Sequence, residues 1–266
     1  MVQHIHRAGF PVVAVEPGAQ QRSKLAAVSI PSLPDISSAP PAELVIVMVA
    51  TPAQLEEVVS AAADADIAGQ LWIIMSTVGL SSIRAAQTTL EDAGARVVDA
   101  PVTGGVAGAR AASLRIFAAG AADVIEMAVP VLRCCGHVDI VGNKPGKGQA
   151  VKVINQHLCT VHLVAAAEAL ALARSMDLDP VEVLKLVEQG AAESWMLRDR
   201  GPRMLAEQPE ITSTVGIFAK DSSLVEEAAT KTGMEVPVLT AARQQLLAAE
   251  KLGLWAADDS QVIRTY

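Results

Sequence analysis

One stretch of the chain places a lysine and an asparagine where they could handle a proton and a substrate hydroxyl. The segment GKGQAVKVINQ, residues 146–156, contains two glycines followed by Lys152 and Asn155. Side chains three residues apart share one face of a helix, so these two groups should point the same way. A lysine buried in such an apolar helix has a lowered pKa and can exchange a proton near neutral pH. A solvated surface lysine is the alternative, and the spacing alone favours neither.

A second stretch, DAPVTGG at residues 99–105, follows a segment with the pattern of a parallel strand. Ligands of open α/β sheets bind beyond the carboxyl ends of such strands. Thr103, Gly104 and Gly105 would offer backbone N–H groups with no bulky side chain in the way, which suits a carboxylate. Taken by itself, this stretch is better explained as an ordinary tight turn.

A third stretch, FAKDSSLV at residues 218–225, carries the pair Lys220–Asp221 after a loop, where we expect a helix to begin. On its own, this pair is best explained as surface charge at a helix start. The remaining polar candidates are weaker. The five histidines lack metal-ligand spacing, and Ser76 and Ser81 lack the context of a nucleophile elbow.

The elements that must position these residues alternate in type as far as Gly142. Strands are predicted at residues 12–15, 43–49, 71–75, 95–102, 114–119 and 138–141, and helices at residues 1–9, 52–65, 81–93 and 123–134. The strand at residues 43–49 has the composition of a fully buried one. Residues 17–42 are hard to assign and allow a small helix and a short strand near residues 28–30. Such alternation is typical of a doubly wound parallel sheet.

From Gly146 onward only helical periodicity remains. Helices are predicted at residues 149–175, 180–189, 195–205, 220–232 and 238–251. We therefore predict an α/β, Rossmann-like domain over residues 1–145, incomplete at its N-terminus, and an all-α domain over residues 146–266. The long helix at residues 149–175 offers more apolar surface than one small helical domain can cover, so a homodimer or homotetramer is expected.

The composition argues against several classes of protein. Hydrophobic residues make up 51% of the chain and charged residues 19%, so a sizeable core is expected. The net charge is −8 and no lysine or arginine stripe occurs, which argues against a nucleic-acid partner. Three cysteines without CxxC spacing argue against a zinc site or a disulfide framework and fit a reducing cytosol, so we expect a cytoplasmic protein without bound metal. Apolar runs are shorter than the roughly 18 to 20 residues of a membrane span, so we expect none.

In this order, the three stretches resemble the β-hydroxyacid dehydrogenase family, which includes 3-hydroxyisobutyrate dehydrogenase, tartronate semialdehyde reductase and relatives of 6-phosphogluconate dehydrogenase. The resemblance extends over essentially the whole chain, and the combination is specific although each motif is modest alone. It implies hydride transfer between NAD and a small β-hydroxy acid. The segments VKVINQHLCTVH, ESWMLRDR, GIFAKDSSLV and AADDSQVIRTY most resemble the L-threonate dehydrogenase branch, so a sugar acid such as L-threonate is the expected substrate.

The resemblance also implies a role for each candidate residue. Lys152 would be the acid–base group, and Asn155 would orient the substrate. The substrate-binding residues would be Thr103, Gly104, Gly105 and Trp195. The cofactor-binding residues would be Glu16, Val49, Ala50, Thr77, Lys220 and Asp221. A core position is at least as good an explanation for Trp195.

The choice of cofactor depends on Glu16. In this fold an acidic residue at the end of the second strand hydrogen-bonds the adenosine ribose and repels a 2′-phosphate. Pro17 follows, where the NADP-using relatives typically have arginine. NAD is therefore expected rather than NADP, although Arg22 could contribute to phosphate binding.

The strand and G-x-G-x-x-G turn that open such a domain do not occur in this sequence. Met1 matches a position just after that turn. We therefore expect a truncated start, poor dinucleotide binding by the chain as written, and inner sheet edges without a partner. Two alternatives to a hydroxy-acid dehydrogenase stay open, which are a reductase of a small aldehyde acid and a non-catalytic, oligomer-forming remnant.

Overall fold

The computed structural model describes residues 1–266, which divide into two compact units, Met1–Lys152 and Val153–Tyr266. The first unit contains helices and strands, and the second contains helices only. The predicted succession of an α/β part and an all-α part is therefore confirmed. The division falls inside a long helix that begins in the first unit.

The N-terminal part of the first unit forms a small sheet of its own. Helix α1 (Val2–Arg7) is followed by the parallel strands β1 (Ala14–Val15) and β2 (Ser32–Leu33), which helix α2 (Ala19–Ala26) connects. The strand predicted near residues 28–30 lies further along the chain, because those residues form the turn that ends α2.

The larger sheet has six strands. They are β3 (Leu44–Val47), β4 (Leu71–Ile74), β5 (Arg96–Asp99), β6 (Val102–Thr103), β7 (Leu114–Ala119) and β8 (Gly136–Gly142). Strands β3, β4 and β5 are parallel, whereas β7 runs antiparallel to β5 and β6 and pairs in parallel with β8. The predicted Rossmann-like class is confirmed, but β7 and β8 run opposite to the rest. The link from β6 to β7 is shorter than the dozen or so residues that a parallel crossover needs.

Four helices follow strands of the larger sheet. They are α3 (Pro52–Ala63), α4 (Gly79–Asp92), α5 (Gly105–Ala111) and α6 (Ala122–Leu132). Helix α3 begins at a capping box in which Thr51 and Gln54 bond each other's backbone. Helix α5 is not among the predicted elements. Strand β4 is fully buried, but β3 is only half-buried because it lies at the edge of its sheet, so the expectation of a fully buried β3 is wrong.

The second unit is built from helices. They are α7 (Lys147–Ser175, which starts in the first unit), α8 (Pro180–Val187), α9 (Trp195–Leu205), α10 (Val215–Thr232) and α11 (Pro237–Lys251), followed by a 3-10 segment at Asp259–Thr265. Their core includes Leu163, Leu170, Phe218 and Leu246. Helix α7 is long and apolar enough to cross a membrane by length and composition alone. The core helices of globular proteins also meet this criterion.

Candidate functional site

A buried carboxylate joins the start of α7 to the carboxyl end of β5. Asp99 is 0% exposed, and its Oδ2 accepts hydrogen bonds from the backbone N–H groups of Gly146 (2.8 Å) and Gln149 (2.9 Å). Its Oδ1 accepts a third from Nε2 of Gln149 at 2.9 Å. The carboxylate therefore lies at the N-terminus of a 29-residue helix, where unpaired N–H groups and the helix dipole stabilise an anion.

Gln149 extends this network to the end of β4. Its Oε1 accepts from the backbone N–H groups of Val78 (3.0 Å) and Gly79 (3.1 Å), and its Nε2 also donates to the carbonyl of Ser76 (3.0 Å). Because Oε1 is committed to two N–H donors, the Nε2 group must be the donor toward Asp99. Both oxygens of Asp99 therefore act as acceptors only. We call these six hydrogen bonds the Asp99–Gln149 network.

The glycines of the GKG segment allow α7 to approach the sheet closely. A Cβ on Gly148 would lie 2.4 Å from the carbonyl oxygen of Phe117 and 2.9 Å from Oδ2 of Asp99. Gly146 adopts φ +95°, a backbone conformation that favours glycine. Both glycines are therefore required by the backbone path and packing at the start of α7.

Burial raises the pKa of Asp99 to about 6, against the opposing effects of the Gln149 side chain and of the backbone N–H groups of Gln149, Gly146 and Gly148. The carboxylate is thus the main form at neutral pH, as its purely donating partners require. Protonation would place an O–H hydrogen against an N–H donor.

Lys152 lies one turn beyond Gln149 in α7 and is 6% exposed. The predicted burial of this lysine is confirmed, and the alternative of a solvated surface lysine is wrong. Gln149, Lys152, Gln156 and Thr160 are all buried and follow one another at intervals of three and four residues. They form a buried polar stripe along α7.

The predicted carboxylate-binding turn lies in the first unit, between β6 and α5. Thr103 is half-buried at the end of β6, and Gly104 and Gly105 have φ values of +119° and +62°. Only glycine adopts such conformations readily, so the residue types match the backbone. Thr77, also half-buried, directly follows Ser76 beyond β4.

The backbone at the end of β3 is already hydrogen-bonded within the protein. The N–H of Val49 donates to Oγ of Ser76 at 2.6 Å, and the N–H of Ala50 donates to Oε1 of Gln54 at 2.9 Å. A cofactor passing here would therefore meet carbonyl groups and side chains rather than free N–H donors.

Glu16 follows β1, and its Oε1 accepts a hydrogen bond from the N–H of Gly18 at 2.7 Å. Arg22 does not extend away from this segment. Its Nη1 donates to the backbone carbonyls of Glu16 (2.8 Å) and Pro17 (2.6 Å). The segment therefore has at the end of β1 a carboxylate, which accepts hydrogen bonds as from hydroxyl groups, while the Arg22 guanidinium donates to the backbone.

In the second unit, Asn155 is linked to the Lys220–Asp221 pair through Gln156. Nδ2 of Asn155 donates to Oε1 of Gln156 (2.8 Å), whose Nε2 donates to Oδ2 of Asp221 (2.5 Å). Nζ of Lys220 lies 2.7 Å from Oδ1 of Asp221, which is 4% exposed. Lys220 and Asp221 lie in the second turn of α10, since Thr214 caps that helix earlier. The expectations that they begin a helix and form a surface pair are therefore wrong.

Trp195 is not part of this chain of hydrogen bonds. It is the first residue of α9 and is 46% exposed, with the Arg200 guanidinium 5.5 Å from the centre of its ring. Arg200 itself is buried and pairs with Asp259. The structure thus places Trp195 beside a buried ion pair.

Sequence reasoning missed Gln149 and Gln156 and considered Asp99 only as the first residue of a motif. A signal for the two glutamines does exist, because they stand seven residues apart on a helix that also carries Lys152. Polar residues at helical spacing in an apolar helix indicate a shared buried face. No comparable signal links Asp99 to a helix that begins more than forty residues later.

Comparison with known proteins places the chain among oxidoreductases. Residues 1–176 match the model of the NAD-binding domain of 6-phosphogluconate dehydrogenase, and residues 146–266 match the model described as NAD-binding of NADP-dependent 3-hydroxyisobutyrate dehydrogenase. The L-threonate dehydrogenase of Cupriavidus necator is 32% identical over 100% of this chain and 91% of its own length. The chain belongs to the β-hydroxyacid dehydrogenase family.

Other members agree in sequence and in structure. The 2-hydroxy-3-oxopropionate reductase of Escherichia coli is 29% identical over 89% of this chain and 82% of its own. The crystal structure of 3-hydroxyisobutyrate dehydrogenase from Salmonella typhimurium superimposes with a TM-score of 0.93 at 26% identity, covering 99% of this chain and 94% of that one. As a member of this β-hydroxyacid dehydrogenase family, the protein is an NAD(P)-dependent oxidoreductase that acts on the CH–OH group of a hydroxy acid.

Proposed function

We propose that this dehydrogenase interconverts a small β-hydroxy acid and its carbonyl form with Lys152 as the acid–base group. The observation that carries the proposal is the burial of Lys152, 6% exposed, one turn after a residue bonded to the ends of β4 and β5. A lysine held in a buried site can act as general acid and base toward a substrate hydroxyl. Bound NAD⁺ would supply the hydride acceptor, while Nζ of Lys152 would take the hydroxyl proton and return it in the reverse direction.

The substrate carboxylate is proposed to bind at Thr103, Gly104 and Gly105. Asn155 is proposed to orient the substrate. Nδ2 of Asn155 donates to Gln156, and the single hydrogen of the reacting hydroxyl goes to Lys152, so Oδ1 of Asn155 would accept a hydrogen bond from another hydroxyl of the substrate. Trp195 is proposed as a wall of the pocket.

NAD is proposed as the cofactor in preference to NADP. Glu16 would accept hydrogen bonds from the adenosine ribose, and Arg22 is held on backbone carbonyls rather than presented to a 2′-phosphate. Val49, Ala50 and Thr77 would lie along the cofactor at the ends of β3 and β4. Lys220 and Asp221 are proposed to bind it from the second unit.

L-threonate is the proposed substrate, supported by the C. necator relative and by the L-threonate dehydrogenase of Escherichia coli, which is 32% identical over 74% of this chain. The 2-hydroxy-3-oxopropionate reductase relative favours a second candidate, the reduction of a small aldehyde acid. The same residues serve both directions, since proton and hydride transfer are reversible.

A homodimer or homotetramer in the cytoplasm is proposed as the working form. Helix α7 exposes Ile154, Leu158 and Leu172 by 65%, 49% and 57%, at intervals that keep them close to one face. A monomeric mass in light scattering at working concentration would overturn the oligomer.

The test begins with calorimetric titration of the full chain with NAD and with NADP. Oxidation of L-threonate and reduction of the aldehyde acid are then followed at 340 nm. We expect Lys152→Ala to lower kcat by about 10²- to 10⁴-fold with NAD affinity retained. Lys147→Ala, an exposed lysine of the same helix, is the matched control and should keep full activity. The titrations and rates are also measured on a chain with a strand and a G-x-G-x-x-G turn added before Met1. Failure of both chains to bind either dinucleotide would support the non-catalytic remnant instead.

A further inference from the structure

We propose that Asp99 and Gln149 are positioning residues that hold Lys152 in place through the first turn of α7. This inference rests on the proposed acid–base role of Lys152. Neither residue needs to touch the substrate or the cofactor for this, because each acts on the backbone that carries the lysine.

The first argument is the way α7 begins. Most helices are capped by a side chain adjacent in sequence, usually Ser, Thr, Asp or Asn. The residue before α7 is Gly146, which has no side chain to cap with. The capping carboxylate comes instead from Asp99, 47 residues earlier and at the end of β5. The helix start is thereby tied to the sheet rather than to its own loop.

The second argument is the number of directions from which the turn is held. Gln149 is bonded to Asp99 at the end of β5 and to Ser76, Val78 and Gly79 beyond β4. Of the residues proposed to meet cofactor and substrate, Thr77 follows β4 directly after Ser76, and Thr103 ends β6, the strand that follows β5. The network therefore fixes the start of α7 relative to the residues proposed to bind cofactor and substrate.

The third argument is the short distance between the network and the lysine. Lys152 is three residues beyond Gln149 in a continuous helix, about 4.5 Å along its axis. A shift or rotation of the first turn therefore passes directly to Lys152. A misplacement of about 1 Å at a reacting group can cost roughly 100-fold in rate.

Because both oxygens of Asp99 only accept hydrogen bonds, Asp99→Asn disrupts the Asp99–Gln149 network with little change in side-chain shape. The Asn side chain has nearly the same shape, but its amide NH₂ must face either Nε2 of Gln149 or the two backbone N–H groups. Gln149 cannot reverse its amide without losing the bonds that Oε1 accepts from Val78 and Gly79. One donor–donor contact is therefore unavoidable, and the helix start must move.

The test is a double-mutant cycle on the full chain, with kcat, KM and NAD affinity measured for Asp99→Asn, Lys152→Ala and the double variant. We expect Asp99→Asn to lower kcat by about 10- to 100-fold, with KM and NAD affinity changed by less than about threefold. In the Lys152→Ala background the same substitution should cause no further loss, because the group that it displaces is already absent.

Two further variants keep the test decisive. Gln149→Met removes the amide but keeps the Asp99 carboxylate, so it serves if Asp99→Asn does not fold, with the same expected non-additivity. Asp259→Asn is the matched control, since Asp259 is equally buried but lies in the second unit, paired with Arg200. It should lower stability while leaving kcat of the folded enzyme unchanged.

Each outcome has a distinct meaning. A full additional loss in the Lys152→Ala background, or a loss of NAD affinity in place of kcat, would overturn the positioning role. Unchanged activity of Lys152→Ala would instead overturn the proposed function, whatever the Asp99 variants do.

Discussion

The two compact units bury a carboxylate by different means. In the first unit, the hydrogen bonds of Asp99 come from backbone N–H groups and the neutral amide of Gln149. In the second unit, Asp259 is bound by Nε and Nη2 of Arg200 at 2.8 and 2.9 Å. Both carboxylates are 0% exposed, and burial is the main influence that raises the pKa of each.

The difference teaches what each arrangement can do. Neutral donors hold Asp99 without adding a second charge next to the start of α7, and they join strand ends to the helix that carries Lys152. The Arg200–Asp259 pair joins α9 to the 3-10 segment near the C-terminus, with Arg203 and Asp258 paired beside it. The hydrogen bonds of Asp99 therefore position the helix at the candidate site, whereas the Arg200–Asp259 pair stabilises the helical fold.

The largest change in stability is expected from removing the positive charge of Arg200 in the second unit. Arg200→Met removes both hydrogen bonds that Arg200 donates to the buried Asp259 and leaves only Arg203, 3.5 Å away, so we expect the free energy of unfolding to fall by about 3 to 5 kcal/mol. Urea denaturation followed by circular dichroism measures this loss. Arg198→Met is the matched control, because Arg198 pairs with Glu193 at the surface and should cost less than about 1 kcal/mol. Equal losses of unfolding free energy for the two variants would show that the buried Arg200–Asp259 pair stabilises the second unit no more than a surface pair does.

A smaller change in stability, dependent on pH, is expected from the titration of Asp99. Its pKa is raised from 3.8 to about 6, so between these values the folded state holds a proton that the unfolded state has lost. By linkage, this group makes the wild-type protein less stable as pH rises through that window, by roughly 3 kcal/mol in total.

Asp99→Asn lacks this titration. The stability of the wild-type protein relative to the variant should therefore decline from about pH 4 to about pH 6 and then level off. Denaturation curves of both proteins at several pH values measure the difference. A difference that does not vary with pH would show that burial does not raise the pKa of Asp99.

The smallest effect is expected from crowding the Asp99–Gln149 network. A methyl group on Gly148 meets the carbonyl oxygen of Phe117 and Oδ2 of Asp99, so Gly148→Ala should cost about 1 to 3 kcal/mol. It should also slow hydride transfer, because the helix start must move away from β7. Gly190→Ala is the control, since a Cβ there meets nothing within 4 Å. Comparable losses from both would indicate a general cost of replacing glycine.

Much of the fold could be predicted because its signals are local. The bounds of α9 and the cap of α3 at Thr51 follow from periodicity and from capping rules that involve neighbouring residues. The direction of β7 and the presence of α5 could not be predicted, because they depend on how strands pair across the sheet. Half-burial of β3 likewise depends on its place at the edge, which an apolar segment does not reveal.

The sequence by itself determined that Lys152 and Asn155 share a helix, because helix geometry depends on the spacing of residues close in the chain. It also determined that Gly104 and Gly105 can adopt the positive φ angles of their turn. Only the tertiary structure decided that Asp99 caps α7 and that Gln156 joins Asn155 to Asp221. Those bonds connect residues far apart in the chain, so they depend on strand order and helix packing rather than on local spacing.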